Sequence, residues 1–173
     1  ISRVRGQLDA GHVTGYSCAG TVIQVGDGVT DLRVGDRVAC AGATIANHAE
    51  LVLVPRNLLT LVPADCSLRD AASVTLGAIA MQGVRRADPR LGEIVAVIGL
   101  GLLGQLTVQL LKAAGCRVIG FDLSPRRVEL AKAHGAEHAF VSAEVEAGTE
   151  IRRLTGDHGV DAVIITAATQ SDA

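Results

Sequence analysis

Aromatic residues are almost absent from this sequence, whose 173 residues include no Trp, one Tyr and two Phe. An excess of charge of one sign is also lacking, because 16 Lys and Arg residues are balanced by 18 Asp and Glu residues. Nucleic-acid surfaces rely on a basic excess or on aromatic stacking platforms, so we expect no nucleic-acid partner. Since 49% of the residues are hydrophobic, a packed core is feasible and a disordered chain is not expected.

Closely spaced cysteines and apolar segments of membrane-spanning length are missing as well. The four cysteines form no C-x-x-C pair, which argues against a zinc knuckle or a disulfide framework and favours buried thiols in a cytoplasmic protein. The segment Ile94–Leu111 carries no charge, but glycines interrupt it. A membrane-spanning helix needs about 20 predominantly apolar residues, so we expect no membrane association.

The most informative segment is a predicted buried strand followed by a glycine-rich turn and a helix. Residues 94–104 have the sequence IVAVIGLGLLG, in which Gly99, Gly101 and Gly104 form the pattern Gly-x-Gly-x-x-Gly. An acidic residue, Asp122, ends a second apolar run about 20 residues further on. A dinucleotide site requires this order of elements. In such a site the first glycine makes a tight turn, the second lets the backbone approach the pyrophosphate, and the third lets helix and strand pack closely.

The start of the predicted helix supplies groups that can bind phosphate. Backbone N–H groups in its first turn, at Leu102 and Leu103, lack partners within the helix, and the positive end of the helix dipole lies there. The Asp122 carboxylate is expected to accept hydrogen bonds from the adenosine ribose and to repel a 2′-phosphate, so the sequence predicts NAD as the cofactor rather than NADP. The alternative is a glycine-rich turn of an α/β fold that binds no ligand.

Two kinds of pattern divide the chain near residue 72. Short apolar segments separated by turn residues come first and predict strands of a small antiparallel barrel, among them Ala19–Val25 and His48–Val54. Ser67 then begins a helical pattern, and a continuous helix is predicted over 70–87. Strands and helices alternate after that, which predicts an α/β fold with a doubly wound parallel sheet.

We therefore expect two partial domains, residues 1–72 and 73–173. A full dinucleotide-binding sheet has six strands, and the pattern here stops after the fourth, so we expect an internal fragment of a larger protein. Thr166 and Ala167 follow the fourth strand. By the topology of such sheets, both are expected to line the cofactor crevice.

A family resemblance is carried by three segments, GYSCAGTVIQVGDGVTDLRVGDRVA (15–39), ANHAELVLVP (46–55) and VAVIGLGLLGQLTVQLLKAAGCRVIGFD (95–122). In this order they resemble the medium-chain alcohol dehydrogenase superfamily, and in particular the dehydrogenase-like half of bacterial bi-domain oxidoreductases. The resemblance implies part of a GroES-like β-barrel domain followed by part of a Rossmann domain, with the active site in the cleft between them. It also implies an NAD-dependent enzyme that moves a hydride to or from an alcohol or carbonyl.

The same resemblance implies a small-molecule substrate, with a sugar derivative as one candidate, and a homodimer for the full-length protein. The isolated chain is expected to be inactive. Two other interpretations stay open. One is a non-catalytic NAD-binding module that supports an attached domain. The other is a quinone- or enoyl-reductase-like enzyme, which also lacks zinc and usually prefers NADPH.

Metal ligands of the superfamily are replaced in this chain. Zinc-dependent members carry Gly-His-Glu where this chain has Gly15, Tyr16 and Ser17. A second zinc ligand is absent near residues 75–77, and residues 40–48 are too few to hold the four-cysteine structural zinc lobe. Catalytic zinc needs about three protein ligands, so we expect no metal. Tyr16 is a candidate proton donor to the substrate, and the alternative is a packed phenol with one hydrogen bond.

Arg127 is the last candidate residue. By the resemblance, it matches a basic residue that contacts the adenosine ribose. The alternative is a solvated helix residue, since arginines on helix surfaces are common.

Overall fold

The computed structural model describes residues 14–167 of the chain. The chain divides into two compact units, Ile1–Leu76 and Gly77–Ala173. A three-stranded sheet lies in the first unit and a four-stranded sheet in the second. Among the described residues, no helix combines the length and the apolar character that crossing a membrane demands.

The first unit is built on an antiparallel sheet. Its strands are β1 (Ser17–Thr21), β2 (Arg37–Ala41) and β3 (Leu59–Leu61), in the order β1-β2-β3. Strand β1 does not extend over Ala19–Val25 as predicted, because its pairing with β2 ends where Thr21 meets Arg37, next to the turn that precedes β2. The core of this unit is a small apolar cluster of buried residues: Leu32, Val38, Cys40 and Ala46.

The predicted strand His48–Val54 is wrong. This segment forms bends and irregular backbone, and among the described residues it pairs with no strand. Alternation of polar and apolar residues predicts a strand only where one face is buried. Here Leu51 and Leu53 are 73% and 94% exposed, so the alternation does not correspond to a buried face.

The continuous helix predicted over 70–87 is interrupted. The structure has a short helix α1 (Leu68–Ala71), begun by a Ser67 hydroxyl that accepts from the Asp70 backbone N–H, and then α2 (Val74–Ala87). Ser73 separates them, because both its backbone N–H and its hydroxyl donate to the Asp70 carbonyl. A serine that bonds to a nearby carbonyl in this way competes with the regular helical ladder.

The second unit contains a parallel sheet. Its strands are β4 (Ile94–Ile98), β5 (Arg117–Asp122), β6 (His138–Val141) and β7 (Ala162–Ile165). They lie in the order β6-β5-β4-β7, which corresponds to the first four strands of a doubly wound dinucleotide-binding sheet. The α/β class and the parallel sheet predicted from the sequence are confirmed. The helices that connect these strands are α3 (Leu102–Ala113), α4 (Pro125–Ala133) and α5 (Ala147–Thr155).

Helices cover both faces of this sheet because alternate strand residues point to opposite sides. Val95 and Val97 of β4 belong to a fully buried cluster with side chains of α3 and α4. Ala96, between them, packs in a second cluster with Phe121 and with residues of α5. Burial on both faces explains why the strands read as continuous apolar runs in the sequence. The sheet therefore holds the turn after β4 and the end of β5 on a rigid support.

Candidate functional site

The turn between β4 and α3 is shaped by Gly99. Its φ of +91° is a left-handed conformation that side-chain-bearing residues rarely adopt, and a Cβ there would lie 2.7 Å from the Ala167 backbone N. The Gly99 N–H donates to the Phe121 carbonyl at 2.8 Å. This hydrogen bond ties the turn to the end of β5.

Gly104, in the first turn of α3, packs directly on Gly99. A Cβ at Gly104 would collide with the Gly99 carbonyl oxygen and would lie 2.9 Å from the Thr166 hydroxyl. That hydroxyl donates to the same carbonyl at 2.5 Å. Thr166, just beyond β7, therefore stabilises the turn by a hydrogen bond from the side of the neighbouring strand. The structure places Thr166 next to the glycines, with its hydroxyl turned toward the backbone of the turn.

Gly101 differs from the other two glycines. Its φ is −67°, which any residue can adopt, and no described atom lies within 4 Å of the Cβ that a side chain would add. Gly101 is the N-cap of α3 and offers no side chain to the first N–H groups of the helix, including those of Leu102 and Leu103. The turn therefore leaves open space beside the first backbone N–H groups of α3, an arrangement that accepts an anionic group.

Asp122 ends β5 and faces this turn. Its side chain is only 7% exposed, and its Oδ2 atom accepts a hydrogen bond from the Leu100 N at 2.6 Å. Its Oδ1 atom accepts from the Ser124 N at 2.8 Å. An ionised carboxylate offers about four lone-pair positions, so two backbone donors leave acceptor capacity for a ligand hydroxyl.

Arg127, at the start of α4, lies beside this carboxylate. Its Nη1 atom is 3.7 Å from Asp122 Oδ1, and its side chain is 58% exposed. The guanidinium therefore sits at the edge of the site with most of its donors in solvent. Both alternatives raised for Arg127 from the sequence stay compatible with this position.

Gln105 is a site residue that the sequence analysis missed. It is buried in α3, and its Nε2 atom donates to the Leu100 and Arg127 carbonyls, both at 2.9 Å. Its Oε1 atom is 3.0 Å from His134 Nδ1. The side chain thus fastens the turn, α3 and α4 to one another. Gln105 is a polar residue on the buried face of α3, together with Gly104 and Val108. Because buried polar side chains need hydrogen-bond partners, this position could have identified Gln105 as a site residue.

Tyr16 lies in the first unit, on a shallow pocket of about 370 Å³. The pocket is also lined by Ser17, His48 and Arg69. The Ser17 hydroxyl donates to the Ala72 carbonyl at 2.6 Å. Tyr16 is 43% exposed, which differs from the packed phenol of the alternative interpretation. Among residues 14–167, no group of three or more His, Cys, Asp or Glu side chains is arranged to hold a metal ion.

Two protein-family models match different parts of the chain. A family model described as an alcohol dehydrogenase GroES-like domain matches residues 2–64. A second, described as a zinc-binding dehydrogenase, matches residues 103–173.

The relatives include a dehydrogenase and quinone oxidoreductases. D-guloside 3-dehydrogenase of Escherichia coli strain K12 is 37% identical over 153 residues, which cover 88% of this chain and 43% of that protein. The quinone oxidoreductase of Pseudomonas syringae pv. tomato DC3000 superposes with a TM-score of 0.77 at 30% identity, covering 87% of this chain and 47% of the other. For the Escherichia coli quinone oxidoreductase complexed with NADPH, the TM-score is 0.75 at 25% identity, with 85% and 46% covered. The chain thus spans less than half the length of each of these proteins.

Proposed function

The chain belongs to the medium-chain alcohol dehydrogenase superfamily, and on that basis we propose that it is the cofactor-binding part of an NAD(H)-dependent oxidoreductase. The observation that carries the proposal is the position of Asp122. This carboxylate lies on one side of a glycine turn whose other side is open space next to the first backbone N–H groups of α3.

The residues of the turn fit a dinucleotide. The open side of Gly101 would receive the pyrophosphate, and the N–H groups of Leu102 and Leu103 would donate to it. Gly99 and Gly104 are needed for the conformation of the turn, because a Cβ at either position would collide with neighbouring atoms. Asp122 would accept the ribose hydroxyls, with Arg127 beside it as a second polar contact.

NAD is favoured over NADP by charge. Asp122 is buried and its two oxygens already face backbone donors, so the carboxylate cannot turn away from an approaching ligand. A 2′-phosphate on the ribose would place a second negative charge against it, and that repulsion is strong where water is scarce. Arg127, 3.7 Å away and largely exposed, offsets only part of this repulsion.

The proposed reaction is hydride transfer between the nicotinamide and an alcohol or carbonyl carbon. The bound cofactor supplies or accepts the hydride, and the protein supplies orientation and a proton. Tyr16 is the proposed proton donor, because its phenol is partly exposed on a pocket beside Ser17 and His48. We propose that the enzyme is zinc-independent, since a phenol and a hydroxyl stand where zinc-dependent relatives have imidazole and carboxylate.

The proposed substrate is a small molecule related to a sugar. The similarity to a protein named as a guloside dehydrogenase supports this class. We further propose a cytoplasmic location, and dimer formation for the full-length protein.

Titration of the chain with NADH and with NADPH, followed by nucleotide fluorescence, tests the cofactor assignment. The chain has no Trp, so its background emission is low. Saturable NADH binding with much weaker NADPH binding is expected. Tighter binding of NADPH than of NADH would favour a reductase of the quinone type. If circular dichroism shows that the chain is folded and it binds neither nucleotide, the proposal is overturned. Turnover of sugar derivatives by the full-length protein then separates an enzyme from a non-catalytic NAD-binding module.

A further inference from the structure

Two cysteines of the first unit lie directly opposite each other. In the antiparallel pair formed by β1 and β2, Cys18 is the register partner of Cys40. Cys40 belongs to the buried apolar cluster of the first unit and Cys18 packs against that cluster, so both thiols point to the same face of the sheet. Neither cysteine forms a disulfide in this structure.

The backbone separation of this pair suits a disulfide. Gly42 N donates to the Tyr16 carbonyl at 3.0 Å, which marks a hydrogen-bonded position in the β1–β2 ladder. Hydrogen-bonded and non-bonded positions alternate along an antiparallel ladder, so Cys18 and Cys40 form the next hydrogen-bonded pair. The Cα atoms of such a pair are about 5.5 Å apart, near the most common separation in disulfides. The Cβ atoms are farther apart here than at a non-hydrogen-bonded position, so they must approach to about 4 Å for the S–S bond to form.

The pair is also reachable by a small reagent. Cys18 and Cys40 both line an apolar cavity of about 270 Å³, together with Val22, Val25 and Leu59. Cys40 is only 4% exposed, whereas Cys18 is partly exposed. A compact oxidant that enters the cavity therefore meets Cys18 first.

We propose that Cys18 and Cys40 form a reversible, peroxide-sensitive dithiol–disulfide site that locks β1 to β2. The Cys18 thiolate attacks one oxygen of hydrogen peroxide, the O–O bond breaks, and one water leaves after protonation. The Cys40 sulfur then attacks the sulfenic sulfur of Cys18, its proton leaves with the departing hydroxide as a second water, and the S–S bond forms. The dithiol loses two electrons, and the peroxide is reduced to two waters.

The environments of the two sulfurs support this order of attack. Burial, with a smaller contribution from the neighbouring Cys18 thiol, raises the pKa of Cys40 to about 11. Cys40 is therefore protonated at neutral pH and is a poor first nucleophile, because the thiolate is the reactive form. Its place against Cys18 makes it the resolving thiol.

The test is oxidation of the full chain with hydrogen peroxide, followed by free-thiol titration and peptide mapping by mass spectrometry without reduction. Two of the four thiols should be lost, with a cross-linked peptide that contains Cys18 and Cys40 and a mass loss of two hydrogen atoms. Dithiothreitol should restore all the thiols. The oxidised protein should also unfold at a higher Tm, since the bond restricts the unfolded chain.

Matched variants identify the pair. Cys18→Ser and Cys40→Ala should each abolish the cross-link, whereas Cys66→Ser, which changes a partly exposed thiol elsewhere in the first unit, should keep it. The map of the unaltered chain is decisive even if a variant fails to fold. A cross-link to Cys66 or Cys116 in the folded protein would overturn the proposal. So would oxidation of Cys18 to the sulfinic acid while Cys40 stays a free thiol, or complete resistance of both thiols.

Discussion

The Asp122 carboxylate and the Leu100 backbone are joined by a hydrogen bond, with 2.6 Å between Leu100 N and Asp122 Oδ2. The bond connects the end of β5 to the middle of the glycine turn. It fixes the acidic side chain before any ligand arrives, so binding need not order it. The carboxylate is both a structural partner of the turn and the proposed selector of the cofactor.

Replacing Asp122 with Asn is expected to reduce the preference for NADH. The amide removes the negative charge and can accept from only one of the two backbone donors, Leu100 or Ser124. Because hydrogen bonds to charged groups contribute about 1.5–3 kcal/mol, NADH affinity should fall roughly tenfold or more, and NADPH should lose less. Fluorescence titration measures both. Asp161→Asn is the matched control, since Asp161 accepts from Ile94 N at the opposite end of β4 and should leave binding unchanged.

Gly101→Ala is expected to affect NADH binding, whereas Gly104→Ala is expected to affect the stability of the fold. At Gly101 the added methyl meets no described atom, so the Tm should stay the same while NADH binding is lost to a clash with the pyrophosphate. At Gly104 the methyl would overlap the Gly99 carbonyl, so the protein should be destabilised by about 1–3 kcal/mol. Thermal unfolding and NADH titration of both variants separate the effects. Unchanged NADH affinity in Gly101→Ala would show that the pyrophosphate does not lie there.

Gln105→Leu is expected to lower the free energy of unfolding by about 2 kcal/mol. The change leaves the Leu100 and Arg127 carbonyls without their donor in a buried position. Urea denaturation measures the loss. Gln109→Leu, on an exposed position of the same helix, is the control and should stay within about 0.5 kcal/mol of the parent. Equal stability of the two variants would show that Gln105 does not hold the turn.

The ion pair between Arg117 and Glu137 predicts a pH dependence of stability. The two hydrogen bonds from Arg117, both 2.8 Å, hold the pKa of Glu137 below its ordinary value of 4.5. A lowered carboxyl pKa stabilises the fold above the ordinary value, and that stability is lost as the pH falls through the lowered one. Glu137→Gln should therefore cost about 0.5 kcal/mol at neutral pH, since both side chains are roughly half exposed, and progressively less below pH 4.5.

Urea denaturation at neutral pH and near pH 3 measures this difference. A constant difference across that range would contradict the assignment to the charge of Glu137. Glu129→Gln, which removes a more exposed ion pair with Lys132, provides a control for surface charge and should have a smaller effect.

Local sequence signals predicted the strand, glycine turn and helix of the proposed nucleotide site. The buried strand predicted before the glycine turn is β4 (Ile94–Ile98), and Asp122, predicted to serve the same site, accepts a hydrogen bond from that turn. Such signals work because each residue meets a strong local constraint: a left-handed φ at Gly99, a close approach at Gly104 and an apolar run in a doubly covered sheet.

Features that depend on distant partners were missed. The segment His48–Val54 has the alternation of a strand, but its structure depends on whether another strand is available to pair with it. The Gln105 side chain donates hydrogen bonds to the carbonyls of Leu100, which is near in the sequence, and Arg127, which is distant. No sequence spacing predicts these bonds. The pairing of Cys18 with Cys40 likewise follows from the register of two strands, which separate motifs do not specify.

Strand β7 joins the sheet across a long stretch of chain. Val95 pairs with Ala162 in β7, whereas its partner in β5 is the much nearer Val118. Loop-closure entropy grows with the number of residues enclosed, so β4, α3 and β5 are expected to assemble first and β7 to dock late. The Thr166 hydroxyl reaches the Gly99 carbonyl only when β7 has docked. During folding, the glycine turn therefore forms before the Thr166 hydroxyl can bond to it. We expect the chain to become able to bind a nucleotide only in the last steps of folding.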